Sequence, residues 1–259
     1  VKARSVRSIL SALVAGVFVF PLWAELDTPD VPFENTPYNG RFTFPRIRFE
    51  PTQWGRGPHY WGLDLKWNHD YPRGESHLMK ILGELTFITT NPEGNILKLD
   101  DPELFKYPWA YVCEVGFWRP TDAEALALRN YLLKGGFLVV DDFMDGWRGY
   151  APAWDNFTAG MRQVLPDARL VQLEANHPIF DSFFHIENPY FLRSPYPVDP
   201  IYYGIFEDND PKKRLMVIAN YNHDIGEFWE WSDTGWVPID ITNEAYKLGV
   251  NYVMYGMTH

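Results

Sequence analysis

Runs of apolar and polar residues along this chain predict strands alternating with helices, most clearly between Tyr107 and Asp142. Trp109 to Val115 is apolar throughout except for Glu114, the pattern of a strand covered on both faces. Thr121-Asp122-Ala123-Glu124 then forms a capping box, in which hydroxyl and carboxylate each satisfy an exposed backbone N–H. Ala125, Leu128 and Leu132 share one face of the helix it opens, and Gly135-Gly136 can close that helix with a left-handed turn. Phe137-Leu138-Val139-Val140 predicts a second buried strand, ending in Asp141-Asp142. Strand, helix and strand of these lengths make a right-handed βαβ crossover, which implies a parallel sheet.

The remaining pattern extends that unit in both directions. Phe42, Phe44, Ile47 and Phe49 predict a first strand with an irregularity at Pro45. From Pro51 to Tyr71, tryptophans stand among glycines and charges, which reads as loop with at most short strands. Leu78, Ile81, Leu82 and Leu85 fall at helical spacing, and Asp101-Pro102-Glu103 predicts a capped turn of helix. Phe157, Met161 and Val164 mark a helix stopped by Pro166; Arg169 to Leu173 and Leu215 to Ala219 read as strands. Residues 182–213, rich in proline and aromatics, read as an insertion or lid. Tyr246, Val250, Val253, Met254 and Met257 form the stripe of a last helix from about Asn243. The expectation is an α/β fold, a single-domain three-layer sandwich with a mostly parallel sheet over residues 41–259. No repeat and no linker-like break in composition divides that span.

The N-terminus follows a different pattern. Lys2, Arg4 and Arg7 precede twelve largely apolar positions, Ile9 to Phe20, and Ala24 stands before an acidic change. This predicts a signal peptide over residues 1–24 and export, in a bacterium to the periplasm. The run is short of the ~20 residues that span a bilayer. Leu22 is large for its place before a cleavage point, so an uncleaved N-terminal membrane anchor is the alternative. Residues 25–40 hold three prolines and no period, and read as an extended leader.

Composition narrows the functional classes. Hydrophobic residues make up 46% of the 259, enough to fill a core. Lys and Arg number 23 against 34 Asp and Glu, a net of −11. Removing residues 1–24 takes three basic residues and leaves 20 against 34, or −14. No basic face is available to displace counterions from phosphates, and Lys212-Lys213-Arg214 reads as a solvated turn, so nucleic acid is disfavoured. A lone cysteine, Cys113, excludes an internal disulfide and a thiolate cluster.

Six phrases, in order, carry a family resemblance. They are Trp67-Asn68-His69-Asp70-Tyr71-Pro72, Glu114-Val115-Gly116, Leu128-Arg129-Asn130-Tyr131-Leu132, Gly135-Gly136-Phe137-Leu138 leading to Asp141-Asp142-Phe143, His177-Pro178-Ile179-Phe180, and Gly249-Val250-Asn251-Tyr252. Together they resemble the bacterial domain-of-unknown-function family numbered 4159, from about Arg41 to the C-terminus. The resemblance implies a flavodoxin-like fold of the class I glutamine amidotransferase-like kind, and brings no established activity. Amidotransferase chemistry needs a cysteine on a tight strand-to-helix elbow with small neighbours. Cys113 instead lies among large residues in Tyr111-Val112-Cys113-Glu114-Val115 and reads as a buried strand cysteine. No Gly-x-Ser-x-Gly offers a serine in its place.

Parallel α/β sheets bind ligands beyond the carboxyl ends of their strands. Glu114, Asp141 and Asp142 lie at two such ends, and His69, Asp70, Trp67, Trp118 and His177 are on loops that can reach the same mouth. Three carboxylates there would repel one another unless a cation, an arginine or a shared proton compensates. Oxygen ligands favour Mg²⁺, Ca²⁺ or Mn²⁺. Neighbouring side chains on a strand point opposite ways, so one of the two aspartates need not face the cleft. On a purely structural reading, Asp70 and Asp142 cap turns and Glu114 pairs with Arg119, Arg148 or Arg193. His177 before Pro178 reads as a turn, with a catalytic role as its alternative. Trp54, Trp61, Trp67, Trp118, Trp147 and Trp154 lie in or beside loops, where rings can either hold a saccharide or plug the sandwich. The expectation is a non-catalytic module with an acidic cleft for a small molecule, saccharide or protein. The alternative is a hydrolase, metal-assisted or acting on glycosides, using Glu114, Asp142 and His177 or His69.

Overall fold

The alternation read from the sequence becomes one sheet between helices. The structure, a computed structural model, describes residues 34–51, 57–59, 62–145, 152–192 and 198–259. Among these, the strands are β1 (Pro45–Ile47), β2 (Gly57–His59), β3 (Gly62–Asp64), β4 (Asn95–Leu97), β5 (Trp109–Cys113), β6 (Phe137–Phe143), β7 (Leu170–Gln172), β8 (Ile201–Phe206) and β9 (Leu215–Tyr221). The helices are α1 (Arg73–Leu85), α2 (Asp122–Leu133), α3 (Ala153–Val164), α4 (Ile225–Glu230) and α5 (Ile239–Thr258). Seven strands form the main sheet in the order β4-β1-β5-β6-β9-β8-β7, while β2 and β3 pair as a separate antiparallel hairpin. The first five in that order run parallel, and β8 is antiparallel to both its neighbours.

Alternation along the central strands sorts side chains into two cores. Trp109, Tyr111, Cys113, Phe137 and Val139 pack with Leu78 and Leu82 of α1, Trp229 of α4 and Leu248 and Val253 of α5. Ala110, Val112, Leu138 and Val140 pack with Leu128 and Leu132 of α2 and Phe157 and Met161 of α3. The helices thus form a layer on each face. The Thr121–Glu124 capping box forms in both directions and starts α2 where the sequence places it. From β1 the chain passes through α1 outward to β4, then returns across β1 to β5. This reversal puts a topological switch point between β1 and β5, where open α/β sheets leave a crevice at the carboxyl ends.

Several expectations need correction. Residues 182–213, read as an insertion or lid, contain β8, a full member of the sheet whose register with β9 runs from Ile201 to Phe206. β4 and α4 were not read at all. β1 covers only Pro45–Ile47, and Phe42 makes an isolated bridge to Thr90. α5 begins at Ile239, four residues before the expected start at about Asn243. Asn156, in a glycosylation-like Asn-Phe-Thr, is in α3 and donates to the Val115 and Trp118 carbonyls. Residues 1–33, with the expected signal peptide, lie outside the described residues. Of the expected leader, the described part is tied to the sheet edge: Asn35 both donates to the Ile96 carbonyl and accepts from its N–H. Asn95 does the same to the Thr36 backbone. Among the described residues, no helix is long and apolar enough to cross a membrane.

Just beyond β9, His223 is fully buried with both ring nitrogens engaged. Nε2 donates to the Leu192 carbonyl at 2.9 Å and Nδ1 accepts from the Asp224 N–H at 2.8 Å, with Tyr202 and Phe228 alongside. Burial lowers its pKa to about 4, with the two backbone bonds opposing less strongly. The folded pKa lies below the unfolded value of about 6.5, so this contribution is complete above pH 6.5 and lost as pH falls toward 4. Between pH 7.5 and pH 4 the loss amounts to about 3 kcal/mol. Urea unfolding at both pH values should show that difference shrinking in His223→Asn; equal pH dependence in variant and parent would refute it.

Candidate functional site

The switch point collects chemistry from four segments. The β3–α1 connection brings Asp64, Lys66, His69 and Asp70, the end of β5 brings Glu114, β6 brings Asp142, and the turn into α4 brings Asp224, Glu227 and Glu230. The backbone is bent to aim them. Lys66, Asp70, Glu114 and Asp142 all have positive φ, between 49° and 64°. This region costs a non-glycine residue roughly 1 kcal/mol or more and persists only where the surroundings over-determine it. At Asp142 it coincides with a register shift between β6 and β9, a bulge that re-aims the side chain. The Glu114 N–H is held by the Asp141 and Asp142 carbonyls, so the two strand ends are locked to one another.

His69 is the hub. Its Nδ1 lies 3.2 Å from Asp142 Oδ2 and 3.3 Å from Glu114 Oε1, while Nε2 lies 3.3 Å from Asp64 Oδ1. Lys66 Nζ pairs with Asp64 at 2.7 Å and approaches Glu114 at 3.6 Å, with its charge 4.6 Å from the Phe117 ring. Among the described residues, Lys66 and His69 are the cations within ion-pair distance of this group.

The electrostatics follow from crowding like charges out of water. Burial, then the Asp142 charge, lifts the Glu114 carboxyl to about 8 against the pull of His69 and Lys66. Burial and Asp142 also raise Asp70 and Asp224 well above the carboxylate range, and burial with Glu230 lifts Glu227 to about 7. Asp64 goes the other way: burial would raise it, but His69 and Lys66 hold it low. Burial would lower His69, yet its bonds to Asp142 and Asp64 and the nearby Glu114 hold it well above the ordinary imidazole value.

Asp141 does not join this group. It is fully buried with its carboxylate saturated, accepting from Tyr111 Oη at 2.9 Å, Asn220 Nδ2 at 3.0 Å and the Ile225 and Gly226 N–H groups at 2.9 and 3.0 Å. It is a peg that holds the start of α4 to the sheet, and its place among expected ligands is corrected on that ground. Burial nonetheless raises its pKa to about 6. His177 lies at the other end of the sheet, against Phe206 and Tyr255, with Nδ1 accepting from the Ile179 N–H. Trp67 and Trp118 are 5% and 3% exposed and offer no open ring to a sugar. Trp54, Trp61, Trp147, Arg148 and Arg193 lie outside the described residues. Cys113 is buried in β5, its Sγ 3.1 Å from Arg46 Nη1 and 3.4 Å from the Trp67 carbonyl. Burial pushes that thiol well up, which keeps it from serving as a thiolate nucleophile.

Two sets of side chains converge closely enough for an ion. His69, Glu114 and Asp142 offer ligand atoms within 4.8 Å of one another, and so do Asp70, Glu227 and Glu230. Asp64, Lys66, Asp224, Glu227 and Glu230 were not read from the sequence. The available signal was Asp224-x-x-Glu227 directly after a strand, which is a helix cap: the Asp224 side chain accepts from the Glu227 N–H.

A family model described as a domain of unknown function, DUF4159, matches residues 57–257. The chain belongs to this family. The match spans every strand of the main sheet except β1, and all of the residues that converge at the switch point. No curated protein matches the sequence.

Proposed function

We propose that this member of the DUF4159 family is an exported cation-binding module. Its sheet is of the flavodoxin-like, class I amidotransferase-like kind without the nucleophile, and its cleft holds a divalent ion on His69, Glu114 and Asp142. The observation that carries this reading is the placement of the His69 ring. Asp64 engages Nε2, and Nδ1 is turned toward the two carboxylates. A carboxylate behind a ligating histidine fixes its tautomer and orientation, the usual support for an imidazole that binds metal. Two donors that share one ion at about 2.0–2.4 Å are separated by at most ~4.8 Å, which these ligand atoms satisfy. An ion also supplies the positive charge that the buried carboxylates need. One nitrogen beside two oxygens favours Mn²⁺ or Zn²⁺ over Mg²⁺ and Ca²⁺. An ion held by three protein ligands would have room in its coordination shell for an oxygen ligand of a small molecule or partner protein.

A thermal-shift series on the protein with Mg²⁺, Ca²⁺, Mn²⁺ and Zn²⁺ tests this. At an ion concentration 100 times Kd, binding adds about 2.7 kcal/mol, or a rise in Tm of about 5–10 °C for a domain of this size. Asp142→Asn should abolish most of that response, while a folded variant is confirmed by a cooperative unfolding transition without ion. No stabilisation of the parent by any of the four ions would overturn the proposal.

A further inference from the structure

Asp70 stands next to His69 in sequence, yet its carboxylate belongs to a different cluster. The residue is 7% exposed, and its Oδ2 is buried without a hydrogen-bond partner. A buried carboxylate oxygen with no donor is costly to hold, and a cation seated against it would offset that cost. The oxygen is packed against α4 so closely that a Cβ on Gly226 would lie 2.2 Å from it, and only glycine fits there. Glu227 and Glu230 follow on the same helix, three residues apart and hence on one face. Their carboxylates and that of Asp70 lie within 4.8 Å of one another.

Arg73, at the start of α1, offsets part of the Glu230 charge from a distance, as Arg46 and His69 do for Asp70. Its Nη2 bonds to Asp233 and its Nε to the Glu230 backbone carbonyl rather than to the Glu230 carboxylate. Asp70 directly follows the hub His69 in the β3–α1 connection, which makes the two clusters neighbours, and the Asp142 charge acts on both Asp70 and Glu227.

We infer that Asp70, Glu227 and Glu230 form a second divalent-cation site, adjacent to the first, so that the cleft is a two-ion centre. The inference extends the cation reading above but rests on its own ligands. Three carboxylates and no nitrogen make this the harder site, suited to Mg²⁺, Ca²⁺ or Mn²⁺. Mn²⁺ suits both sites and is therefore the probe.

The experiment is Mn²⁺ titration of the full chain by calorimetry, with electron paramagnetic resonance of the loaded protein. The expected result is about two ions per chain with a spin-coupled spectrum. Glu230→Gln, an isosteric change at a partly exposed residue, and Asp70→Asn should each reduce the count to about one and remove the coupling. His69→Ala should also leave about one ion, now held by the second site. One ion in the parent that His69→Ala eliminates would overturn the second site and keep the first. One ion that Glu230→Gln eliminates and His69→Ala retains would keep the second site and overturn the first. No bound Mn²⁺ at all overturns both.

Discussion

Replacing Arg46 by methionine is expected to cost about 3–5 kcal/mol, the range for a buried ion pair that loses one partner. Arg46 occupies the middle of β1 and is 2% exposed, paired with Glu75 of α1, which is 1% exposed. Its Nη1 also donates to the Trp67 carbonyl at 3.0 Å, and its guanidinium lies 4.9 Å from the Tyr111 ring centroid. Without the arginine, Glu75 would be a lone charge in a dry core, where its Oε2 already has no partner. The double variant Arg46→Met with Glu75→Leu removes both charges and should recover most of the loss. Urea denaturation of the three variants measures this directly. A single variant that loses under about 1 kcal/mol, or a double variant no better than the single, would show that the pair does not organise this core.

Asp141→Ala is expected to cost about 4 kcal/mol or more, well above the cost of Asp142→Asn, which keeps a hydrogen-bonding side chain in place. Four donors converge on Asp141, from Tyr111, Asn220, Ile225 and Gly226. Each would be left buried and unsatisfied at about 1–3 kcal/mol, with some relief by rearrangement. The start of α4 would lose its anchor, and with it the positions of Glu227 and Glu230. The measurement is chemical denaturation together with amide exchange, which should rise first at Ile225 and Gly226. A much larger loss in Asp141→Ala than in Asp142→Asn would separate the peg from the ligand; similar destabilisation by the two would erase that distinction.

The unit from β5 to β6 was legible because each of its signals is local. An apolar run, a Thr-x-x-Glu box and a Gly-Gly stop need no distant partner to be understood. β4 is three residues long, too short for a period, and it is stabilised by β1 and by the side chain of Asn35, distant in sequence. β8 was hidden because its aromatic, proline-flanked stretch becomes a strand only when β9 lies beside it. In the site, Glu114 and Asp142 could be found as acidic ends of strands, and His69 as a loop histidine of the right kind. Asp64, Lys66, Glu227 and Glu230 could not, since a hairpin and a helix of six residues bring them there by tertiary contact. The inward turn of Asp141 follows from strand alternation, whereas the outward turn of Asp142 depends on a bulge that leaves no trace in composition.

The amide clasp of Asn35 on Ile96 has a consequence for how molecules of this protein meet one another. A side-chain amide presents the same donor and acceptor as a peptide group, so at this margin the outermost backbone is already answered by a mimic of itself. Another molecule arriving with an extended segment would find the Ile96 docking points taken, a local safeguard against fibrous growth from that side.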